Sequence, residues 1–204
     1  MQFLCAGLDL FCKRMNGQRQ IPKSFTEYNI IYIVTISMKT KKDYFFCSPK
    51  LLQNIDQIKE IDSCLNRVQW KEEFILDIGK KKFSHQAGYN KAFQIEFQHY
   101  GWTLFPLLFD SPRLIGDFQK NDIFVEIPFG NSSALYQDYY KFHYVLTHNL
   151  LSLAVLIVPT SPKKFFPTRP KSISNMAKFD LAQKYSRLLP IPVLILLIGL
   201  LPEN

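Results

Sequence analysis

The order of apolar and polar residues along the chain predicts alternating strands and helices. Residues 28–37 are rich in β-branched and aromatic side chains and predict a strand, which is followed by a polar break at 39–42. A helix is predicted from Pro49, because proline suits the first helical turn and leucine and isoleucine follow it at helical spacing. A second short helix is predicted over residues 71–78, and a glycine with three lysines predicts a loop over 79–82.

The middle of the chain predicts one helix and several short strands. Aromatic residues on one helical face predict a helix over residues 90–100. Residues 102–109 predict a strand that is bent or lies at a sheet edge, because Pro106 cannot donate a hydrogen bond to a neighbouring strand. Two further strands are predicted at 114–118 and 122–129, with a polar turn between them.

A strand–helix–strand unit is predicted next. Asn131 or Ser132 is a suitable N-cap for a helix that runs to about residue 148. Residues 153–158 are continuously apolar, which is typical of a strand buried on both faces. Because a helix that joins two strands of one sheet normally connects parallel strands, this strand is expected to run parallel to the one at 122–129.

The pattern as a whole predicts an α/β fold in which a mixed β-sheet is flanked by helices. A loop is expected over residues 159–172, a helix over 173–188 and a last strand over 192–200. The expected organisation is one domain over residues 41–204. It follows an unassigned N-terminal segment, residues 1–40, that carries the first predicted strand.

Composition and charge narrow the classes of function. The chain has 204 residues, of which 47% are hydrophobic, and this is enough for one domain with a buried core. Lysine and arginine number 25 against 17 acidic residues, and the net charge of +8 favours a polyanionic partner, either nucleic acid or an anionic membrane. The four cysteines show no CxxC spacing, so we expect reduced thiols in the cytoplasm rather than zinc ligands.

A membrane-associated basic protein is the alternative from another functional class. Its support is the apolar run at residues 188–201, which is 14 residues long and contains Pro190 and Pro192. A membrane-spanning helix needs about 20 residues, so a buried terminal strand is the better interpretation. The N-terminus has its basic residues after its short apolar stretch, which is the wrong order for a signal peptide. No membrane partner is therefore expected.

Two carboxylates provide the candidate chemistry. Asp117 ends one predicted strand and Glu126 lies near the end of the next, so a hairpin would bring them together. Converging carboxylates suit a hard divalent cation such as Mg²⁺. Alternatively, Asp117 is a turn residue and Glu126 is an exposed strand residue paired with a lysine. The apolar run IFVEIPF around Glu126 favours the metal site, because a buried, uncompensated carboxylate is costly.

The segment DFQKNDIFVEIPFGN, residues 117–131, resembles the catalytic motif of the BglII/BstYI-like type II restriction endonucleases, which belong to the PD-(D/E)xK nuclease superfamily. Further stretches agree in order, so the resemblance covers roughly residues 45–200. These stretches are NKAF at 90–93 with GW at 101–102, DYYKF at 138–142, LAVLIVP at 153–159, and the final helix and strand from Ile173 onward.

The resemblance implies a restriction-endonuclease-like core and Mg²⁺-dependent hydrolysis of DNA phosphodiester bonds at a palindromic site centred on GATC. It also implies a homodimer that cuts both strands of double-stranded DNA in a prokaryotic cytoplasm, as one half of a restriction-modification system. Asp117 and Glu126 match the family's two metal-binding catalytic carboxylates. The carbonyl oxygen of Ile127 is expected as a further metal ligand.

The chain departs from the family pattern at Pro128, where the superfamily has lysine and this subfamily usually has glutamine or glutamate. Proline offers no side-chain ligand and no proton donor. Lys91 is the leading candidate for a catalytic replacement from the preceding helix, and Glu96 on that helix is a candidate for an extra metal ligand. The alternative function is therefore a catalytically weakened or inactive DNA-binding protein on the same fold.

Several polar and basic side chains are candidates for DNA contact. The loop KKFFPTRPK places aromatic residues between its charges, a combination that can bind a DNA backbone. A solvated loop with a hydrophobic anchor explains this loop equally well, and the lysines at 80–82 carry the same two interpretations. The candidate DNA-binding residues are Asn90, Lys91, Lys141, Lys163, Lys164 and Arg169.

Overall fold

Helices lie on both faces of a mixed six-stranded sheet in the structure, a computed structural model that describes residues 38–169, 173 and 175–202. The elements of these residues, in chain order, are β1 (Lys39–Phe45), α1 (Pro49–Leu52), α2 (Asp56–Arg67), β2 (Ile75–Ile78), β3 (Lys81–Ser84), α3 (His85–His99), β4 (Thr103–Leu104), β5 (Leu107–Phe109), β6 (Leu114–Ile115), β7 (Phe118–Lys120), β8 (Ile123–Glu126), α4 (Ser133–Thr147), β9 (Leu153–Pro159), α5 (Pro162–Phe165), α6 (Phe179–Arg187) and β10 (Ile195–Leu201).

The main sheet has the strand order β1–β10–β9–β8–β7–β4. Strand β8 lies between an antiparallel neighbour, β7, and a parallel neighbour, β9. Val125 is paired with Val155, so the strand–helix–strand prediction of parallel neighbours is confirmed. The strongly apolar β9 and β10 are also parallel to each other, and β1 closes that side of the sheet in antiparallel register.

Strand β9 shows how the sheet separates two hydrophobic layers. Leu153, Val155 and Ile157 belong to the core that contains residues of α2 and α3. Ala154, Leu156 and Val158 belong to the core that contains residues of α4 and α6. This alternation is the period-two geometry of a strand buried on both faces. The predicted class, a mixed sheet flanked by helices, is confirmed.

Residues 71–78 do not form the predicted helix. Residues 75–78 form strand β2, which pairs with β3 in a two-stranded hairpin, and Gly79 at the turn has φ 59°. The three lysines at 80–82 belong to the turn and to β3 rather than to an extended loop. Their side chains are exposed, as are those of Asp77 and Ile78 at the same end of the hairpin. The apolar residues at the base of the hairpin have a spacing that is also typical of a helix.

Two boundary predictions also require correction, and one lies outside the described residues. The polar break predicted at 39–42 is the start of β1, which is an edge strand among the described residues. Its first three residues are exposed, and lysines are compatible with a sheet edge. The helix predicted from Ile173 begins at Phe179. The strand predicted at 28–37 lies outside the described residues. No helix within the described ranges has the length and hydropathy needed to span a membrane.

Candidate active site

The β7–β8 hairpin places Asp117 and Glu126 next to each other in register. Phe118 is paired with Val125, so Asp117 and Glu126 occupy the positions immediately beyond that pair. Gly116 leaves room for the glutamate, because a Cβ atom added at this glycine would lie 3.2 Å from Glu126 Oε1. The short hairpin therefore brings the two carboxylates to the same end of the sheet, and the absence of a side chain at Gly116 leaves room for Glu126 there.

Asp117 is oriented by the backbone of the opposite strand. The Ile127 amide donates a hydrogen bond of 2.8 Å to Asp117 Oδ2. The backbone oxygen of Asp117 accepts a hydrogen bond from the Phe105 amide at 2.9 Å. These two contacts hold the aspartate at the junction of the hairpin and the preceding chain. The carboxylate remains half-buried rather than enclosed.

Glu126 lies deeper and faces helix α4. Its exposed fraction is only 2%, and Phe124, two residues earlier, belongs to the core beneath α4 and α6. Lys141 of α4 donates hydrogen bonds to Glu126 Oε2 at 2.8 Å and to Asp138 Oδ1 at 2.9 Å. Asp138 is also buried, with 4% exposure. The two acids and the lysine form a buried cluster, which we call the Glu126–Asp138–Lys141 cluster.

The charges of this cluster are strongly perturbed. Burial raises the pKa of the Glu126 carboxyl well above its ordinary value, and the neighbouring charges of Asp117 and Asp138 raise it further. Burial also raises the pKa of Asp138 to about 6, although the Lys141 ammonium opposes this shift. Burial acts to lower the pKa of Lys141, but Glu126 and Asp138 outweigh it and raise that pKa. The cluster therefore has an excess of acid and a lysine that stays charged.

A small cavity on the other side of Asp117 is suited to a cation. It has a volume of about 100 Å³ and is lined by Asp117, Ile127, Asn90 and Gln94, together with aromatic side chains. Asn90 Oδ1 is buried, and it has no hydrogen-bond partner within the described part of the chain. These are hard oxygen donors, the type that Mg²⁺ prefers. The Ile127 carbonyl accepts a hydrogen bond from the Phe129 amide at 2.9 Å, and a carbonyl oxygen has a second lone pair.

The donor set is small, and this also fits magnesium. Over the described ranges, no group of three or more His, Cys, Asp or Glu residues is arranged to hold a metal ion. Mg²⁺ commonly binds through one or two carboxylates and keeps several water molecules. Asp117, with a carbonyl and an amide oxygen at the cavity, offers donors that suit a magnesium ion, and Glu126 lies beside Asp117 on the hairpin but does not line the cavity. A zinc site would need a fuller set of His or Cys ligands.

Comparison with known proteins identifies the family. A family model described as restriction endonuclease BglII/BglIII matches residues 45–200 of the chain. The chain belongs to this family. The predicted resemblance is thus confirmed, and the protein is a type II restriction endonuclease, an enzyme that hydrolyses DNA.

A solved structure shows the same fold. The crystal structure of restriction endonuclease BglII complexed with a DNA 16-mer has a TM-score of 0.64 to this chain. The two sequences are 22% identical over 81% of this chain and 77% of that chain, a level at which the likeness concerns the fold alone. No curated protein matches the sequence of this chain.

The two residues proposed from α3, Lys91 and Glu96, each lie close to a neighbouring polar side chain. Lys91 Nζ lies 3.5 Å from Gln94 Oε1 on the same helix. Glu96 points toward α2, where its Oε2 atom lies 3.9 Å from Arg67 Nε. Within the described residues, the ammonium at hydrogen-bond distance from a motif carboxylate is that of Lys141. Gln94 lines the cavity beside Asp117. The role of Lys91 therefore stays a prediction, whereas Glu96 is directed toward α2.

The predicted DNA-binding residues of this chain lie in different environments. Asn90 lines the small cavity, and Lys141 is in the buried cluster. Lys163 and Lys164 are exposed on the short helix α5. Arg169 lies 6.0 Å from the Phe166 ring and donates to Met176 Sδ at 3.2 Å, so its guanidinium is anchored by packing.

Asp138 is the member of the buried cluster that the sequence analysis did not single out as a site residue. It lies three residues before Lys141, the spacing at which helix side chains meet, and this spacing was the available signal. The signal was weak because Asp56 and Lys59 have the same spacing on α2 and form an exposed pair. The two pairs differ in burial, which depends on how each helix packs against the sheet.

Proposed function

We propose that the enzyme cleaves double-stranded DNA at a palindromic site centred on GATC, as a homodimer and with Mg²⁺ as its cofactor, in the cytoplasm of a prokaryote. The observation that carries this proposal is the pair Asp117 and Glu126, which share one end of a hairpin beside a cavity lined by oxygen atoms. Membership of the restriction endonuclease family supports the substrate class, and the site sequence rests on the motif resemblance.

The residues that would hold the cation are Asp117, Glu126 and the Ile127 carbonyl, with the Asn90 amide oxygen in reach of the same cavity. A bound divalent cation supplies charge neutralisation at the phosphodiester and favours ionisation of the attacking water. The protein orients the site: the Ile127 amide fixes Asp117 Oδ2, and Lys141 fixes Glu126 Oε2. The orienting contacts exist before DNA arrives, so little reorganisation is needed at the reaction step.

DNA contact is proposed for Asn90, Lys91, Lys141, Lys163, Lys164 and Arg169. Lys163 and Lys164 are exposed and suited to phosphate groups. A groove of about 620 Å³ borders the active site and is lined by Arg113, Tyr136, Tyr140 and Lys141, among others. The net charge of +8 favours association with the polyanion. Two copies would place one active site on each strand of a palindrome.

The test is incubation of the purified protein with DNA that contains GATC sites, with Mg²⁺ or with EDTA. We expect double-strand cuts only with Mg²⁺, at a site that contains GATC, and a dimer in sedimentation. Asp117→Ala and Glu126→Ala should abolish cleavage, while DNA binding in Ca²⁺ stays within about threefold of wild type. Wild-type cleavage rates in either variant would refute the site assignment.

The weakened-enzyme alternative rests on Pro128, which is buried and has no polar side-chain atom. It predicts binding to the same DNA without cleavage in Mg²⁺. A protein that neither binds nor cuts GATC-containing DNA would refute the proposed site sequence, and a screen of random-sequence DNA would then identify the target.

A further inference from the structure

Lys141 has an environment that is unusual for a lysine on a surface helix. Its side chain is only 14% exposed, and its ammonium contacts two carboxylates that are themselves nearly inaccessible. Burying a charged lysine is costly. Such a residue is normally retained only where its charge is used or is fully compensated. Compensation alone would need one acid, yet two acids hold this ammonium beside the catalytic hairpin.

The geometry leaves the ammonium available to a ligand. A lysine ammonium has three N–H donors, and within the described residues two of them are directed to Glu126 Oε2 and Asp138 Oδ1. A third donor remains. Lys141 also lines the groove of about 620 Å³, next to Arg113 and Tyr140. The third donor is the one that a phosphate group in this groove would use, with both carboxylate contacts kept.

The sheet geometry explains why the ammonium meets Glu126. Side chains two residues apart on a strand share a face, and Phe124 contributes to the core beneath α4. Glu126 therefore faces α4, and Lys141 meets it from that helix. Pro128, the next residue of the same parity, contributes no polar group. The positive charge at this face comes from the helix.

We propose that Lys141 is a catalytic residue that presents positive charge to the scissile phosphate, and that Asp138 is its positioning residue. The inference rests on the proposed function and replaces the expectation that Lys91 takes this role. Phosphodiester hydrolysis places growing negative charge on the phosphate oxygens, and a fixed cation in a buried site stabilises that charge more than it stabilises the ground state. Lys141 acts here as a permanent cation and does not transfer a proton.

The experiment is single-turnover cleavage with Mg²⁺ and a saturating excess of enzyme over DNA, together with DNA affinity measured in Ca²⁺. Lys141→Met should lower the cleavage rate by about 10²-fold or more, the usual scale for one preorganised electrostatic group. DNA affinity should change by less than about threefold, since the ammonium is already paired with carboxylates. Lys141→Arg keeps the charge and should cut at least about tenfold faster than Lys141→Met. Asp138→Asn should lose about tenfold in rate, with DNA affinity unchanged.

The exposed pair Asp56 and Lys59 provides a matched control. It has the same residue types and the same i, i+3 spacing, but its side chains are 83% and 63% exposed. Lys59→Met should cut at the wild-type rate. If Lys141→Met does not fold, as judged by circular dichroism, the double variant Asp138→Asn with Lys141→Gln removes one charge of each sign and carries the same expected loss.

The outcomes separate this inference from the proposed function. If wild type cuts, Glu126→Gln is inert and Lys141→Met cuts within about threefold of wild type, only the inference is overturned. It is also overturned if Lys141→Arg is as slow as Lys141→Met, or if the rate loss disappears when the enzyme concentration is raised to saturation. If wild type cuts no DNA with Mg²⁺, the proposed function and the inference fall together.

Discussion

Glu126→Gln should stabilise the metal-free protein even though it removes a catalytic carboxylate. Three carboxylates, those of Asp117, Glu126 and Asp138, influence one another at the end of the hairpin, and the ammonium of Lys141 is the cation in direct contact with this group. Glutamine has almost the same shape as glutamate and no charge. The substitution therefore removes one of the mutually repelling negative charges without leaving a cavity.

The opposing effect is the loss of the ion pair between Glu126 and Lys141. Breaking a buried pair costs about 3–5 kcal/mol when the remaining charge is left without a partner. Lys141 is not left alone, because Asp138 Oδ1 still lies 2.9 Å from its ammonium and the glutamine oxygen can still accept a hydrogen bond. We therefore expect a net gain of about 0.5–2 kcal/mol, the usual scale when a functional group is replaced for stability. For a chain of this size, the melting temperature should rise by about 1–8 °C.

The gain should depend on pH in a defined direction. Burial, followed by the charges of Asp117 and Asp138, raises the pKa of Glu126 above its ordinary value of 4.5. An acid whose pKa is higher in the folded than in the unfolded protein has its full stability contribution at a pH below the unfolded-state pKa, where both states are protonated. As pH rises above that pKa, the unfolded protein ionises first and the folded protein loses stability. The advantage of the glutamine variant should therefore be small near pH 4.5 and grow toward pH 8.

The assay is urea and thermal unfolding in EDTA at pH 5 and at pH 8. Glu60→Gln is the matched control, because the Glu60 carboxylate has two partners, Lys120 and Trp102, at 2.7 and 2.9 Å, and its neutralisation should lower stability. If Glu126→Gln is no more stable than wild type at pH 8, or if its advantage is the same at pH 5, the assignment of electrostatic strain to this site is wrong. Added Mg²⁺ should stabilise wild type more than the glutamine variant, because the variant lacks one ligand.

Three further predictions concern the frame around the site. Lys120→Met should lower the free energy of unfolding in urea by about 2 kcal/mol, a value between those for exposed and buried ion pairs. Lys120 contacts both Glu60 and the Tyr100 carbonyl, and the side chains of Lys120 and Glu60 are about three-quarters buried. An unchanged midpoint would contradict this prediction. Gly199→Ala should cost about 1–3 kcal/mol, since its Cβ atom would lie 2.5 Å from Phe179 Cδ2, and a wild-type melting temperature would show that the ring moves freely. Burial raises the pKa of the Cys64 thiol to about 12, so iodoacetamide at pH 8 should label this residue only after denaturation, as read by peptide mass spectrometry, and rapid labelling of the native protein would refute its burial.

Elements with one dominant pattern could be predicted from the sequence. The continuous apolar run of β9 and the helical spacing after Asn131 each admitted one interpretation, and their order implied a parallel pair. Asp117 and Glu126 were singled out because an acid inside an apolar strand is costly unless it has a function. Their placement at one hairpin end follows from a register that the short polar turn determines.

Features that depend on tertiary packing could not be predicted in this way. The lysine-rich β1 is a strand because β10 offers it a partner, and nothing local in its sequence states this. The lysines of β3 likewise predicted a loop where the structure has a hairpin strand. Lys141 and Asp138 have the spacing of many solvated helix pairs. Their role depends on the rotation of α4 about its axis, which turns both side chains toward Glu126 rather than toward water.

The pairing of β1 with β10 has a consequence for biosynthesis. Phe45 is paired with Ile195, so about 150 residues separate the two strands along the chain. At a translation rate of about 5–20 residues per second, β1 would wait roughly 8–30 s for its partner. β1 lacks this partner during the whole interval and β9 lacks it only during the last part, and such unpaired edges are sites of association between nascent chains. A premature stop before residue 195 would leave both edges permanently open, so we expect truncated chains to aggregate before they can reach DNA.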